Sequence, residues 1–312
     1  MGGALIARLG ISDLRGDPGR RRREAAIRLG FQAAALLSVV ISAAIILTLV
    51  GEAWSFVSQV DPVRLIDRGW FPRRDMYGIP TIVAGTLSIA GIAMLVAAPL
   101  GLGSAMYLSE YAGPRARSML KPALEVLAGI PSVVLGYFAL QVLSPTVVDP
   151  LCIGPTDPYT MAAAGIAVGI LVTPLVASVA EDAMHAVPTS LREAAYGLGA
   201  RRRTASLRVV VPAAVSGIVA GLILGMSRAI GETMVVAIAA GGLGGSLFSL
   251  DPCGPGQTMT AAMTALATGS DQVRGASLAF PSLFFVGLLL FAFTLGLNLV
   301  ANRVVRRMRE RY

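Results

Sequence analysis

The chain has 312 residues, of which 55% are hydrophobic and only 14% charged, with a formal net charge of +8 and a mean hydropathy of +0.71. So large an apolar fraction excludes a soluble globule and points to an all-α, polytopic membrane protein. One His, two separated Cys and a single Lys, Lys121, which Pro122 follows, argue against a metal cluster, a nucleophile with an adjacent His, and a phosphate-cradling Gly-x-x-x-x-Gly-Lys loop.

Six stretches are long and apolar enough to cross a hydrocarbon core about 30 Å thick, where helices must satisfy their own backbone groups. They are predicted at 31–50, 79–107, 123–143, 159–180, 216–240 and 281–301. The chain thus divides into a basic tail (1–30), a membrane domain (31–301) and a short C-terminal tail (302–312).

The N-terminal tail carries seven Arg, most of them in "GRRRREAAIR". Such a run can bind nucleic acid, but beside a first span it is read as an orientation and lipid-headgroup signal, with no nucleic-acid partner. The first span is too long for a cleaved signal and lacks a small-residue cleavage site, so it is expected to be retained.

In the second span Gly85, Gly91, Gly101 and Gly103 allow a neighbouring helix to approach closely. Arg115, Arg117 and Lys121 follow it. In the third, Pro131 of "LAGIPSVVLG" removes a helix donor and is expected to kink or break the span, with Ser132 able to satisfy a freed carbonyl. Whether that bend lines a path or only shapes packing is left open. At the end of the fourth, His185 sits beside Glu181 and Asp182, where a solvated or interfacial role is expected of it rather than catalysis.

Twenty of the 26 Lys and Arg fall in the two tails and in the segments after spans two and four. Lys and Arg resist translocation, so that side, and with it both termini, is expected to be cytoplasmic. Cys152 in "DPLCIGP" and Cys253 in "LDPCGPG" then both lie outside, where conditions are oxidising. A disulfide between them stays open, because sequence does not show whether their α-carbons come within about 4.4–6.8 Å. The segments 51–78 and 241–271, rich in Gly, Pro and Asp, are candidate external docking surfaces.

The segment at about 181–212 contains "VPTSLREAAYGLGARRRTASLRVVVPAA". Ser190 and Glu193 have capping-box spacing for a short helix, which Gly197 and Gly199 can stop. The Arg201–Arg203 run opens a second amphipathic stretch, and Pro212 marks the return to the membrane. A helix pair held at the headgroups by Arg would suffice to explain this. The spacing asks for more: Glu193, Ala194 and Ala195, then Gly199, then Val209, Val211 and Pro212 meet several fixed offsets at once.

That pattern resembles the EAA coupling loop of permease subunits of ABC importers. Longer stretches, including "LSEYA", "LKPALEVLAGIPSVVLGYFALQVLSP", "RAIGETMVV", "TMTAAM" and the ending "RRMRERY", are similar to permeases of the phosphate-specific importer, PstC type more than PstA type. The likeness runs from about residue 71 to the end. It implies a type I importer permease fold and half of a translocation path. The implied partners are a PstA-type permease, two copies of an ATPase that bind and hydrolyse the ATP, and an extracytoplasmic phosphate-binding protein. This chain would bind no cofactor and catalyse no reaction itself.

"GMSRAIGETMVV" places Arg228 and Glu232 inside the fifth span, where a charge costs at least about 2.5–3.5 kcal/mol on insertion scales. Four residues apart on a helix, they are close enough to pair, and a self-neutralising buried pair is the plain reading. Such pairs contribute little to stability, which favours a path role: Arg228 offers a forked donor to an oxyanion, while Glu232 orients it and moderates its attraction so that the anion can leave. In the family it resembles, the matching "RA-x-GE" residues belong to the anion path. The alternatives are the same machine for sulfate or molybdate, or a self-contained secondary transporter or channel, for which inverted repeats are expected and none is evident.

Overall fold

The computed structural model describes residues 18–153, 157–242, 245–269 and 278–309. Among the described residues five helices are long and apolar enough to cross a membrane, six if a bent pair is counted as one span. The first, α1 (Pro18–Val57), belongs as far as Gly51 to one compact unit, and the rest of the chain to another. It begins thirteen residues before the predicted span, inside the basic tail. Its apolar side chains from Ile27 to Leu47 are exposed, as on a helix whose solvent is lipid.

In the second unit, α2 (Ile79–Tyr111), α4 (Ser132–Leu151) and α5 (Met161–His185) are membrane-length helices. Between them lies α3 (Pro114–Ala128), which buries no residue. The third span therefore departs from prediction. Residues 123–128 belong to the amphipathic α3, and Pro131, with ψ 129°, stands at the N-terminal boundary of α4. A Pro there loses no hydrogen bond that a helix start would have used, so it separates two helices instead of bending one.

After α5 the chain forms α6 (Thr189–Gly197), then α7 (Arg202–Ala213), which meets α8 (Val215–Gly231) at 72°. The fifth span is also broken: α8 stops at Gly231 and α9 (Met234–Ala239) follows. The segment expected as an external loop is only partly one, since α10 (Met259–Ala267) is buried in the bundle. The last helix, α11, runs Ala279–Arg309.

The core is centred on α5, whose small residues admit its neighbours. A methyl group at Gly165 would lie 2.7 Å from Ile92 Cβ, and one at Gly169 2.7 Å from Val96 Cβ. The glycines make the contact possible, and in a membrane close packing is what drives helix association. On α2, Gly85 and Gly101 are likewise occluded, by Gln257 and Val176, whereas Gly91 and Gly103 face open space.

At the end of the bundle where α2 and α5 start, three short strands form an antiparallel sheet: β1 (Gly69–Phe71), β2 (Met76–Tyr77) and β3 (Ser246–Leu247), in the order β2-β1-β3. Trp70 and Tyr77, paired across it, are fully buried with Phe56. The loop before α10 is tied to the same end by a Cys152–Cys253 disulfide, with a Cα–Cα distance of 6.0 Å. It closes a sequence separation of 101 residues, a loop length for which the chain-entropy account gives a stabilisation of about 4.7 kcal/mol, by restricting the unfolded chain. Reduction, or Cys152→Ser with Cys253→Ser, is expected to lower the thermal unfolding temperature in detergent. An unchanged midpoint would show that the bridge constrains nothing.

Candidate functional site

Two regions of the second unit carry the chemistry. The first is the end of the bundle where α2 and α5 finish and α6 and α7 connect. The expected capping box is not formed: α6 starts at Thr189, behind Pro188, with no side-chain cap. Pro188 presets the helix entry by itself. Gly199 has φ +77°, the left-handed turn that lets α7 follow α6. Glu193 and Ala194 are exposed, whereas Ala195 is buried. Leu198, at the turn, is 90% exposed. The helix pair thus holds on to the bundle through one side and presents Glu193, Ala194, Tyr196 and Leu198 outward. Pro212 lies just before the 72° bend into α8.

Two ion-pair groups whose partners sequence reading did not supply hold this end together, one fastening α6 and the other joining α3 to α5. Arg192 donates to Glu110 Oε1 at 2.9 Å, to the Met184 carbonyl at 2.8 Å and to the Val187 carbonyl at 2.6 Å. Glu110, at the end of α2, is buried, as is Glu181 of α5. Glu181 is bound by Arg117 and, at 2.8 Å, by Lys121, which also reaches Asp182 at 2.8 Å. His185 lies 3.2 Å from Arg117 Nη1, so it joins this cluster. The signal available in sequence was a carboxylate at the end of each of two apolar stretches, with the cations one helix away. The hydrogen bonds to Asp182 and then Glu181 raise the Lys121 pKa above its ordinary 10.5. Because the folded value is the higher one, this stabilisation is complete below about pH 10.5 and is lost only as pH rises through the folded value.

The second region is the break between α8 and α9. Arg228, in the last turn of α8, is exposed on the face of this chain and has no ion pair or hydrogen bond among the described residues. The expected Arg228–Glu232 pair is not formed. Glu232 lies beyond the helix end, with ψ 129°, so the four-residue spacing no longer puts the two on one helical face. Its Oε1 accepts instead from the Val235 N–H at 3.4 Å, at the positive end of α9. Among the described residues no group of His, Cys, Asp and Glu could hold a metal.

The second unit is thus a helical bundle with a helix pair at one end and, at a broken helix, a cation with no ion-pair partner among the described residues. Among solved structures the chain is similar to a bacterial ABC transporter involved in the import of the acidic polysaccharide alginate. It shares 18% identity, with a TM-score of 0.62 over 92% of this chain and 99% of that one. It is also similar to an inward-facing MetNI methionine ABC transporter, with 16% identity and a TM-score of 0.53 over 72% and 91%. At such identities the likeness concerns the fold.

Residues 97–310 match the family described as binding-protein-dependent transport system inner membrane component. The phosphate transport system permease protein PstC of Haemophilus influenzae is 31% identical, over 88% of this chain and 91% of that one. PstC of Mesorhizobium japonicum is also 31% identical, over 90% and 89%. The chain belongs to this family of inner membrane transport components, on its PstC branch.

Proposed function

We propose that the chain is one of two permease subunits of an ATP-driven phosphate importer in a bacterial cytoplasmic membrane. Both termini and the α6–α7 pair face the cytoplasm. A PstA-type permease completes the path, an extracytoplasmic binding protein delivers phosphate, and a pair of separate ATPase subunits receives α6. Hydrolysis takes place on those subunits, and this chain binds no cofactor. The PstC relatives support the substrate.

The observation that carries the path is the guanidinium of Arg228, which has no ion-pair or hydrogen-bond partner among the described residues. An unpaired charge at membrane depth is retained only in a polar cavity or against a partner. On a surface left open by a single permease, it suits an oxyanion passing between two. Phosphate with its counter-charge on Arg228 would be drawn in, and Glu232, held on the Val235 N–H, leaves that guanidinium free for it. Outward-facing Glu193, Ala194 and Leu198 would seat in the ATPase, with Gly199 setting the turn.

The test is labelled-phosphate uptake into proteoliposomes holding both permeases and the ATPase, with binding protein and ATP added in turn and sulfate or molybdate as competitors. Uptake that needs both additions and resists the competitors is expected. Uptake without ATP would replace the importer with a carrier or channel, and competition by sulfate or molybdate would reassign the substrate.

A further inference from the structure

The break after Gly231 needs a cause. Residues 229–240 read "AIGETMVVAIAA", with no Pro, and the single Gly is a weak reason for a membrane helix to stop. In a continuous helix the Glu232 carbonyl would accept the N–H of Val236. Here it accepts the Thr260 hydroxyl of α10, at 2.8 Å. Thr260 and Thr258 are both buried, and their hydroxyl oxygens are 2.9 Å apart.

The direction of every proton in this chain follows. The carbonyl only accepts, so Thr260 donates to it. Thr258 therefore donates to Thr260, and its own oxygen accepts the Ala261 N–H at 3.1 Å, capping α10. The start of α10 is in turn tied to α2, where the Met259 N–H donates to the Thr86 hydroxyl at 3.0 Å and Thr86 donates to the Ile82 carbonyl at 2.7 Å.

We propose that Thr260 is a positioning residue of the anion path: its hydroxyl holds the α8–α9 break open and so keeps the Glu232 carboxylate off Arg228. Without that donor, a bare carbonyl at membrane depth is costly, and the cheapest remedy is to resume the helix. Glu232 then returns to the face of Arg228, where the two charges neutralise each other and the path loses its attraction for an anion. The proposal rests on the reading of the chain as an importer permease.

The experiment compares Thr260→Val, of similar shape without the hydroxyl, with Thr260→Ser, in the assembled complex with binding protein and ATP. Thr260→Val is expected to lower phosphate uptake about tenfold, the scale of one buried hydrogen bond lost, while ATP hydrolysis stimulated by the binding protein changes less than about twofold. Thr260→Ser is expected to restore uptake. Three results overturn the proposal: unchanged uptake in Thr260→Val, equal loss in both variants, or a parallel loss of uptake and hydrolysis. Where the wild-type complex itself takes up no phosphate, the functional reading fails, and this one with it.

Discussion

Replacing Arg228 with Gln is expected to abolish ATP-driven phosphate uptake while the complex still assembles. Arg228 makes no ion pair among the described residues, so removing its charge orphans no carboxylate, and its exposure on this chain leaves the core unaffected. The loss falls on the anion alone. Hydrogen bonds to charged groups contribute about 1.5–3 kcal/mol each, and a forked guanidinium offers two, so uptake should fall at least about a hundredfold. Arg228→Lys keeps the charge but not the fork and should fall between. Normal uptake by Arg228→Gln, in a complex recovered at the wild-type yield, would remove Arg228 from the path.

The second large effect is expected at Arg192. Truncation to Ala leaves the Glu110 carboxylate buried without the Arg192 guanidinium and removes the side-chain donor to the Val187 and Met184 carbonyls, of which Met184 keeps the Val187 N–H. Breaking a buried pair on one side costs about 3–5 kcal/mol. Thermal unfolding in detergent should drop, and because Arg192 joins α6 to both α2 and α5, uptake should fall more than ATP hydrolysis does. Replacing both partners with apolar side chains, as in Arg192→Met with Glu110→Leu, should recover most of the stability, since no charge is then left buried alone. Coupling of hydrolysis to uptake should stay impaired in that double variant. A double variant that couples normally would show that the pair is structural and transmits nothing.

Neither effect is readable from α6 alone. Arg192 is separated from Glu110 by 82 residues, and Lys121 from Glu181 by 60. The sequence marks these as charges near the ends of apolar stretches and leaves their partners undetermined. The cations at Arg117 and Lys121 serve as an orientation signal in sequence, yet in the fold they also neutralise Glu181, a role that depends on α3 lying against α5. Likewise Thr258 and Thr260 read as ordinary polar residues of a loop until α10 is seen to enter the bundle.

Composition and periodicity by themselves determined the membrane class, the all-α architecture, the approximate place of the spans other than the third and fifth, the helix pair with its turn at Gly199, and Arg228 as the charge needing an explanation. Those features are local: they follow from apolar length, from the cost of exposing backbone groups in lipid, and from residue offsets along one segment. Tertiary structure alone decided the Cys152–Cys253 bridge, the ion cluster beneath α6, the shift of the third span to Ser132–Leu151, and the break that separates Glu232 from Arg228. Each of these depends on which donor a distant segment brings within hydrogen-bond or covalent reach, a quantity that no window along the chain contains. At Glu232 the local signal favours a continuous helix, and a hydroxyl from Thr260 overrides it.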